Sequence, residues 1–340
     1  MNKKIKKISS LLAALTLTIG LSACTTTTTP PKVEQPPVEA STDQKSTKDQ
    51  LYIEVSALGN LDYFFDHKLG MKKVGEELGV RTEYVGPAEY DMNAMVAAFE
   101  QAIAKKPNGI VVVGFEDSLN PIVKKAIDAG IPVVTVDADL PDSGRLAFVG
   151  TGNINAGKMG GEKLAELIGK KGKVALMTKP GQSNLEQRIQ GYKEALAKYP
   201  DIQIVQIADT QSDPVVGAQA ASALLQKYPD LAGIACVEAA GGSGAATAVK
   251  EAKLDGKVKI ISMDRGNDVL QGIEDGTISA TVVQQTALMP YYATQILYNL
   301  VNSKVSITTD NKSAGVLGIP TAVDTGVIIV DKNNAKYFKR

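Results

Sequence analysis

From residue 51 onward, short apolar runs alternate with amphipathic stretches. The runs are rich in β-branched residues and continuous rather than alternating with polar ones, which is typical of strands buried on both faces of a parallel sheet. They predict eleven strands, at 51–56, 81–85, 109–114, 131–136, 145–150, 173–178, 202–207, 233–237, 258–263, 279–284 and 326–330. The stretches between them predict helices at 66–78, 93–105, 119–129, from 154, at 185–198 and 214–227, after 244, and around 291–301.

Strands and helices in alternation favour an α/β fold with doubly wound parallel sheets. Eleven strands are too many for one comfortable sheet, so two Rossmann-like domains are expected. The number of units and the chain length leave a (β/α)₈ barrel open as the main alternative.

Residues 1–23 have the pattern of a secretory signal peptide. Four lysines precede an uncharged, mostly apolar stretch at 11–21 that is too short to span a membrane comfortably. The sequence Leu21-Ser22-Ala23-Cys24 resembles a bacterial lipobox, so Cys24 is expected to carry lipid and to anchor the protein outside the cytoplasm, at the bacterial cell membrane. An ordinary signal peptide, with Cys24 incidental, is the alternative.

Residues 24–49 are rich in Thr, Pro, Glu, Gln, Ser and Lys and have few bulky apolar side chains. Such a segment cannot bury enough apolar surface to offset the entropy lost on ordering. It is therefore expected to be a disordered tether, with the folded part beginning near Asp49.

The charge balance argues against a nucleic-acid partner. The chain has 37 basic and 37 acidic residues, and removal of residues 1–23 would take away four lysines and no acid, leaving a net charge of −4. With lipid on Cys24, only Cys236 remains, so no internal disulfide is expected.

Polar and aromatic side chains follow the predicted strands, where open α/β sheets bind ligands. They are Tyr63, Phe64, Asp137, Thr151, Arg188, Glu238, Asp264 and Gln284. Aromatic rings can pack on the C–H faces of a sugar, while carboxylates, amides and a guanidinium can bind its rim of hydroxyl groups. The set therefore indicates a sugar-binding cleft.

Each of these residues also has a plainer interpretation. Tyr63 and Phe64 could pack in the core beneath the first helix, Asp137 and Asp264 could cap loops, and Arg188 could lie on a helix surface. Together, however, these residues follow strands, and their shared position indicates a binding site.

Enzymatic functions are poorly supported. Residues 152–159 nearly form a phosphate-binding loop, but Met159 stands where a Ser or Thr would hold Mg²⁺. The single histidine, His67, is expected on a solvated helix face, and neither a Gly-x-Ser-x-Gly elbow nor cysteine-rich ligand spacing occurs. We therefore expect a non-enzymatic protein without a cofactor or a metal site.

Over residues 50–303 the sequence resembles the ribose/galactose-type periplasmic binding proteins, the sugar-capturing subunits of ABC importers. The resemblance rests on the order and spacing of the following segments: 63–64 before Gly70, 106–113, 130–137, 149–153, 188–192, 263–264 and 280–284. It implies stacking aromatics at Tyr63 and Phe64, sugar-binding carboxylates at Asp137 and Asp264, a guanidinium at Arg188 and an amide at Gln284.

The resemblance also implies two lobes with the ligand cleft between them and a hinge that closes on the ligand. The N-terminal lobe is expected at 50–152 plus 285–318 and the C-terminal lobe at 153–284 plus 319–340, joined by crossings near 151–153, 263–284 and 315–325. The implied partners are a small-molecule sugar and the permease subunits of an ABC importer, and the protein is expected to be monomeric.

Departures from the family pattern concern the sugar. Leu61 and Gly114 stand where ribose binders have Asn, Ala138 where an Arg often follows the aspartate, and Glu238 where they have Asn. These changes argue against ribose and leave room for a larger ring, an amino sugar or another polar metabolite. The alternative function is that of a lipid-anchored sensor that presents a sugar or signal molecule to a receptor kinase.

Overall fold

The computed structural model describes residues 47–339, whose strands form two sheets of six. The first contains β1 (Leu51–Val55), β2 (Arg81–Val85), β3 (Gly109–Val113), β4 (Val133–Val136), β5 (Ala147–Gly150) and β11 (Ala322–Asp324). The second contains β6 (Gly172–Thr178), β7 (Ile202–Asp209), β8 (Leu231–Cys236), β9 (Lys259–Met263), β10 (Ala280–Gln284) and β12 (Val327–Asp331). Their spatial orders are β11-β5-β4-β3-β1-β2 and β12-β10-β9-β8-β6-β7, with β10 and β12 antiparallel and the other pairs parallel. The chain therefore forms two open sheets, and the (β/α)₈ barrel alternative is wrong.

Both faces of each sheet are covered, as the continuous apolar runs predict. In β3, Ile110 and Val112 join one apolar cluster, while Val111 and Val113 join another on the opposite face. The strand β6 divides its side chains between two clusters in the same way. The edge strand β2, in contrast, is only partly buried.

Nine helices cover these faces in the described part of the chain. They are α1 (Asp62–Leu78), α2 (Met92–Ala104), α3 (Asn120–Asp128), α4 (Asn153–Leu167), α5 (Ser183–Leu196), α6 (Pro214–Lys227), α7 (Ala239–Glu251), α8 (Asn267–Asp275) and α9 (Leu288–Val301). The boundaries follow local signals: Asp213 caps α6 by accepting from the backbone N–H groups of Val215 and Val216, and α1 ends at Gly79 in the left-handed conformation.

The chain passes three times between the first sheet with its helices (the first lobe) and the second sheet with its helices (the second lobe). It crosses between β5 and α4, between β10 and α9, and between β11 and β12. The second crossing therefore follows residue 284 rather than lying within 263–284. The strand β11 belongs to the first sheet, whereas residues 319–340 were expected in the second lobe. The other expected lobe boundaries remain predictions.

Two helices begin earlier than the sequence pattern predicts. The helix α1 begins at Asp62. This start was not predicted because its N-cap residue, Leu61, has no capping side chain that would mark it in the sequence. The helix α7 begins at Ala239, and its first turns are glycine-rich because it packs closely on its neighbours. A Cβ atom at Gly242 would lie 1.8 Å from Ser262 Oγ. The early start of α1 places Tyr63 and Phe64 on a helix rather than in a loop.

The expected signal peptide, Cys24 and nearly all of the expected tether lie outside the described residues. Within residues 47–339, no helix has both the length and the apolar character needed to cross a membrane.

Candidate functional site

A cavity of about 210 Å³ lies between the two lobes, at the carboxyl ends of the strands. Its lining comes from both lobes and from the second crossing: Leu61, Tyr63, Asp66, Ala239, Asp264, Arg265, Gly266, Asn267, Val283, Gln284, Thr286 and Phe338. Of the residues predicted from the sequence, Tyr63, Asp264 and Gln284 line it directly. Since parallel strands of an open sheet present their carboxyl ends together, this is where a ligand is expected.

Tyr63 lines the cavity from the first lobe and is hydrogen-bonded to Asp137. The Tyr63 hydroxyl donates to Asp137 Oδ1 over 2.6 Å. Burial raises the pKa of the Tyr63 hydroxyl well above its usual value, and the Asp137 and Asp264 carboxylates raise it further. Tyr63 therefore stays a neutral phenol, able to donate to a carboxylate while its ring lines the cavity.

Gln284 connects the second lobe to the first crossing. Its Oε1 accepts from Thr151 Oγ1 at 2.8 Å and from Arg188 Nη2 at 2.9 Å, and its Nε2 donates to Asp264 Oδ1 at 2.9 Å. Burial raises the pKa of the Asp264 carboxyl, with Arg188 and Gln284 acting in the opposite direction. The structure thus joins four predicted residues, Thr151, Arg188, Asp264 and Gln284, into one hydrogen-bonded network.

Arg188 is buried and takes part in this network rather than lying on a helix surface. Besides Gln284, its guanidinium donates to Asn153 Oδ1 at 2.8 Å and to the Val237 carbonyl at 3.0 Å. These bonds tie α5 to the start of α4, to the loop after β8 and to the end of β10. Arg188 therefore positions the polar groups of the second lobe, and three of its five donor hydrogens serve that purpose.

Glu238 caps a helix. Its carboxylate accepts from the backbone N–H groups of Ala240 and Gly241, both at 2.8 Å, and from Thr210 Oγ1 at 2.9 Å. Both carboxylate oxygens are therefore occupied at the start of α7. The adjacent Ala239 lines the cavity, and a contact between Glu238 and a ligand remains a prediction.

Phe64 lies in the core of the first lobe and is 2% exposed. Its ring makes edge contacts with Tyr63, His67 and Phe115 at centroid distances of 5.0, 4.9 and 5.9 Å. Phe64 packs behind Tyr63, which agrees with the alternative expectation that Phe64 is a core residue beneath the first helix. The expectation that Phe64 itself stacks on a ligand remains a prediction.

His67 is completely buried, so the expectation of a solvated helix face is wrong. The face of α1 that carries His67 packs toward β1, where His67 Nδ1 lies 2.6 Å from Glu54 Oε1. Burial lowers the pKa of His67, but the charge and hydrogen bond of Glu54, together with the charges of Asp137 and Asp66, raise it above its usual value. The pair lies behind Tyr63, whose ring centroid is 5.9 Å from that of His67.

The cavity residues that were absent from the predicted set include Asp66, Arg265, Thr286 and Phe338. The Arg265 guanidinium forms an ion pair with Asp66, which also accepts from Thr286 Oγ1 at 3.0 Å. Arg265 was visible as a residue after a strand. Asp66 and Phe338 follow no strand directly and carry no local signal.

The cavity combines hydroxyl, carboxylate, amide and guanidinium groups with apolar side chains. Within residues 47–339, no group of three or more His, Cys, Asp or Glu side chains is arranged to hold a metal ion. The arrangement is suited to binding a small polar molecule through hydrogen bonds from both lobes.

Comparison with known proteins agrees with this geometry. A family model described as periplasmic binding protein domain matches residues 55–304. The D-ribose/D-allose-binding protein of Pseudomonas aeruginosa is 27% identical over 334 residues, which cover 94% of this chain and 99% of that protein.

Solved structures give the same result. The structure is similar to AraP, an arabinose-binding protein from Geobacillus stearothermophilus, with 36% identity and a TM-score of 0.81 over 86% of this chain and 100% of AraP. It is also similar to the sugar-binding protein of a sugar ABC transporter from Bacillus halodurans, with 35% identity and a TM-score of 0.80 over 85% of this chain and 100% of that one. A XylFII–LytSN complex contains a chain that is 28% identical, with a TM-score of 0.68 over 84% of this chain and 99% of that one. The chain therefore belongs to the periplasmic binding protein domain family.

Proposed function

We propose that the protein captures a sugar outside the cytoplasm and delivers it to an ABC importer, with Cys24 as its lipid anchor. The observation that carries the proposal is the cavity between the lobes, whose polar groups come from both sides. A ligand that bonds to Tyr63 and Asp137 in one lobe and to Asp264 and Gln284 in the other stabilises the closed arrangement. Closure is then a shift of population toward the state that binds best.

The cavity favours a single sugar ring. Its volume of about 210 Å³ lies below the ~300–1,000 Å³ of pockets for drug-sized ligands. Leu61, which stands where ribose binders have Asn, lines the cavity with an apolar side chain. This supports a sugar that lacks a polar group at that position, and the names of the relatives place arabinose, ribose and allose among the first to test.

Binding without turnover is part of the proposal. A glycosidase needs two carboxyl groups that flank one glycosidic oxygen, one acting as acid and the other as base or nucleophile. Here Asp264 is bonded to Gln284 and Asp137 to Tyr63, so each carboxylate already has a partner within its own lobe. This arrangement supports hydroxyl binding from opposite lobes rather than bond cleavage.

Three measurements test the proposal. Thermal shift and calorimetry against pentoses, hexoses and disaccharides identify the ligand, with about 2.7 kcal/mol of stabilisation expected at a hundredfold excess over Kd. Small-angle scattering at saturation should show a smaller radius of gyration. Chromatography after long incubation should return the sugar unchanged. Turnover of the sugar, or an unchanged radius at saturation, would contradict the carrier mechanism.

A sensor that presents its ligand to a receptor kinase is the second candidate function. It is favoured by the similarity to a chain solved in the XylFII–LytSN complex, since a protein of this fold there forms a complex with another protein. Reconstitution separates the two functions. Sugar-dependent stimulation of a permease's ATPase activity supports the importer, and sugar-dependent stimulation of a kinase with no transport supports the sensor.

A further inference from the structure

The guanidinium of Arg265 joins three separate parts of the molecule. From the loop after β9 in the second lobe, Nη2 pairs with Asp66 Oδ2 on α1 of the first lobe. Nη1 donates to the carbonyl of Phe338, close to the end of the described chain, over 3.2 Å. The Arg265 and Asp66 side chains are 25% and 13% exposed, so the ion pair is largely shielded from water and is screened less than a surface pair.

The carboxyl-terminal residues are fixed to the second lobe before they reach Arg265. Asn334 Nδ2 donates to the Ile329 carbonyl over 3.1 Å, and Ala335 is buried in the core of that lobe. Lys339 forms a surface ion pair with Glu274 on α8. Held at both ends, this segment brings the half-buried Phe338 against the cavity, which Phe338 lines together with Arg265 and Gly266.

We propose that Phe338 is a specificity-determining residue of the ligand cavity and that the Asp66–Arg265 pair is the latch that closes the lobes beside it. This rests on the proposed function, since it takes the cavity to be the sugar site. Phe338 supplies an apolar aromatic surface against which the C–H groups of a sugar can pack. Arg265 positions that surface through the Phe338 carbonyl and holds the first lobe over it through Asp66.

The specificity arm compares Phe338→Ala and Phe338→Leu with Tyr337→Ala. Tyr337 is a matched control because it is the adjacent aromatic residue, is 75% exposed and lies outside the cavity lining. We expect Phe338→Ala to weaken binding of the best sugar about three- to tenfold and to change the order of preference across the panel. Phe338→Leu keeps the apolar packing and controls for misfolding. Tyr337→Ala should bind within about twofold of wild type. Equal affinity and equal preference in all three variants would overturn the specificity role.

The latch arm uses Asp66→Asn, Arg265→Gln, the double variant and Arg265→Lys. We expect each of them to enlarge the radius of gyration in solution without added sugar, because fewer molecules are closed. The double variant should match the single ones, since they remove the same interaction. Arg265→Lys keeps the charge, but a single ammonium group cannot reproduce the fork that reaches both Asp66 and Phe338. Lys332→Gln, which removes an exposed charge of the second lobe outside the latch, should leave the radius unchanged.

The two arms separate failure of this inference from failure of the proposed function. Small-angle scattering without sugar tests the Asp66–Arg265 latch whether or not a ligand is known. An unchanged radius of gyration in all Asp66 and Arg265 variants would overturn the proposed latch. Failure of wild type to bind any sugar would overturn the proposed function and the role of Phe338 together. Normal sugar binding with unaffected Phe338 and Asp66 variants would overturn only the inference made here.

Discussion

Asp137 and Asp264 occupy matching places in the two lobes. Asp137 follows β4 and Asp264 follows β9, each the third strand in the spatial order of its sheet, and each residue has a φ of 64°. The N–H of Asp137 donates to the Val149 carbonyl at 3.1 Å, and that of Asp264 donates to the Val282 carbonyl at 2.8 Å. The Asp137 charge contributes to the raised pKa of Asp264, so the carboxylate of the first lobe acts on that of the second. The repeated fold thus places Asp264 in the cavity lining and Asp137 one hydrogen bond behind it, as the acceptor of the Tyr63 hydroxyl.

The first prediction is that Asp137→Asn and Asp264→Asn each weaken sugar binding without unfolding the protein. Asn tolerates a positive φ, so the backbone is retained while the charge is lost. A buried charged hydrogen bond contributes about 1.5–3 kcal/mol, so calorimetry should show a loss of roughly 10- to 150-fold. Asp142→Asn, an exposed change in the same loop region, should have no effect. Wild-type affinity in both site variants would contradict the assignment.

Arg188→Ala should lower stability as well as affinity. Its three buried hydrogen bonds hold Asn153, Gln284 and the Val237 carbonyl, and the substitution removes this donor from all three groups. We expect the free energy of unfolding to fall by about 2–4 kcal/mol in urea titrations. Lys193→Ala, on the exposed face of the same helix, is the control and should change it by less than about 0.5 kcal/mol. An Arg188→Ala variant as stable as that control would show that the network is dispensable for folding.

Most strands could be predicted from the sequence, because continuous β-branched runs such as β3 and β10 leave little alternative to burial in a parallel sheet. The strand β11 was missed for the opposite reason. It has three residues, is largely exposed and has no apolar run. Its position depends on long-range contacts, since Asp324 accepts from the N–H of Gly152 at 2.7 Å. Local pattern does not contain that information.

The residues of the candidate site that directly follow strands could be predicted from the sequence. Asp264 and Gln284 were found because the topology of a doubly wound sheet gathers such positions. Asp66 and Phe338 were not found, because they meet Arg265 only after the two lobes and the last residues of the chain have come together. His67 was misplaced because its burial depends on the acidic partner, Glu54, that β1 presents to it.

Glu238 should prove to be a cap more than a ligand. Glu238→Ala removes the acceptor of two backbone N–H groups and should lower the free energy of unfolding by about 0.5–2 kcal/mol. Glu238→Asn restores a residue that caps well and should keep stability, with sugar affinity within about threefold of wild type. A tenfold or greater loss of affinity in Glu238→Asn at unchanged stability would instead show that the carboxylate contacts the sugar.

Cys24→Ser should release the protein from membranes, because it removes the thiol that accepts the lipid. Fractionation followed by immunoblotting measures this, and sugar affinity should not change. Cys236→Ser is the matched control, since that thiol is buried in the core of the second lobe and is expected to leave the protein membrane-bound. Retention of Cys24→Ser on membranes at the wild-type level would mean that another feature anchors the protein.

The His67–Glu54 pair should make stability fall as the pH rises above neutrality. The folded state raises the pKa of His67 above its usual value of about 6.5 through Glu54, Asp137 and Asp66, despite burial. Between these two pKa values the folded protein binds more protons than the unfolded chain. The stabilisation is therefore complete below about pH 6.5 and is lost as the pH rises through the raised pKa. Urea titrations from pH 5.5 to 9 should show this decline, and His67→Gln should lack it.

Glu54→Gln should reverse the sign of this pH dependence. Without the carboxylate, burial is the dominant influence and lowers the pKa of His67 below its unfolded value. Stability is then retained above about pH 6.5 and lost as the pH falls through the lowered pKa. The buried pair also predicts a loss of about 3–5 kcal/mol when only His67 is replaced by Leu, because the Glu54 charge is left unpaired. A slope of the same sign in wild type and Glu54→Gln would show that Glu54 does not determine the direction of the pKa shift of His67.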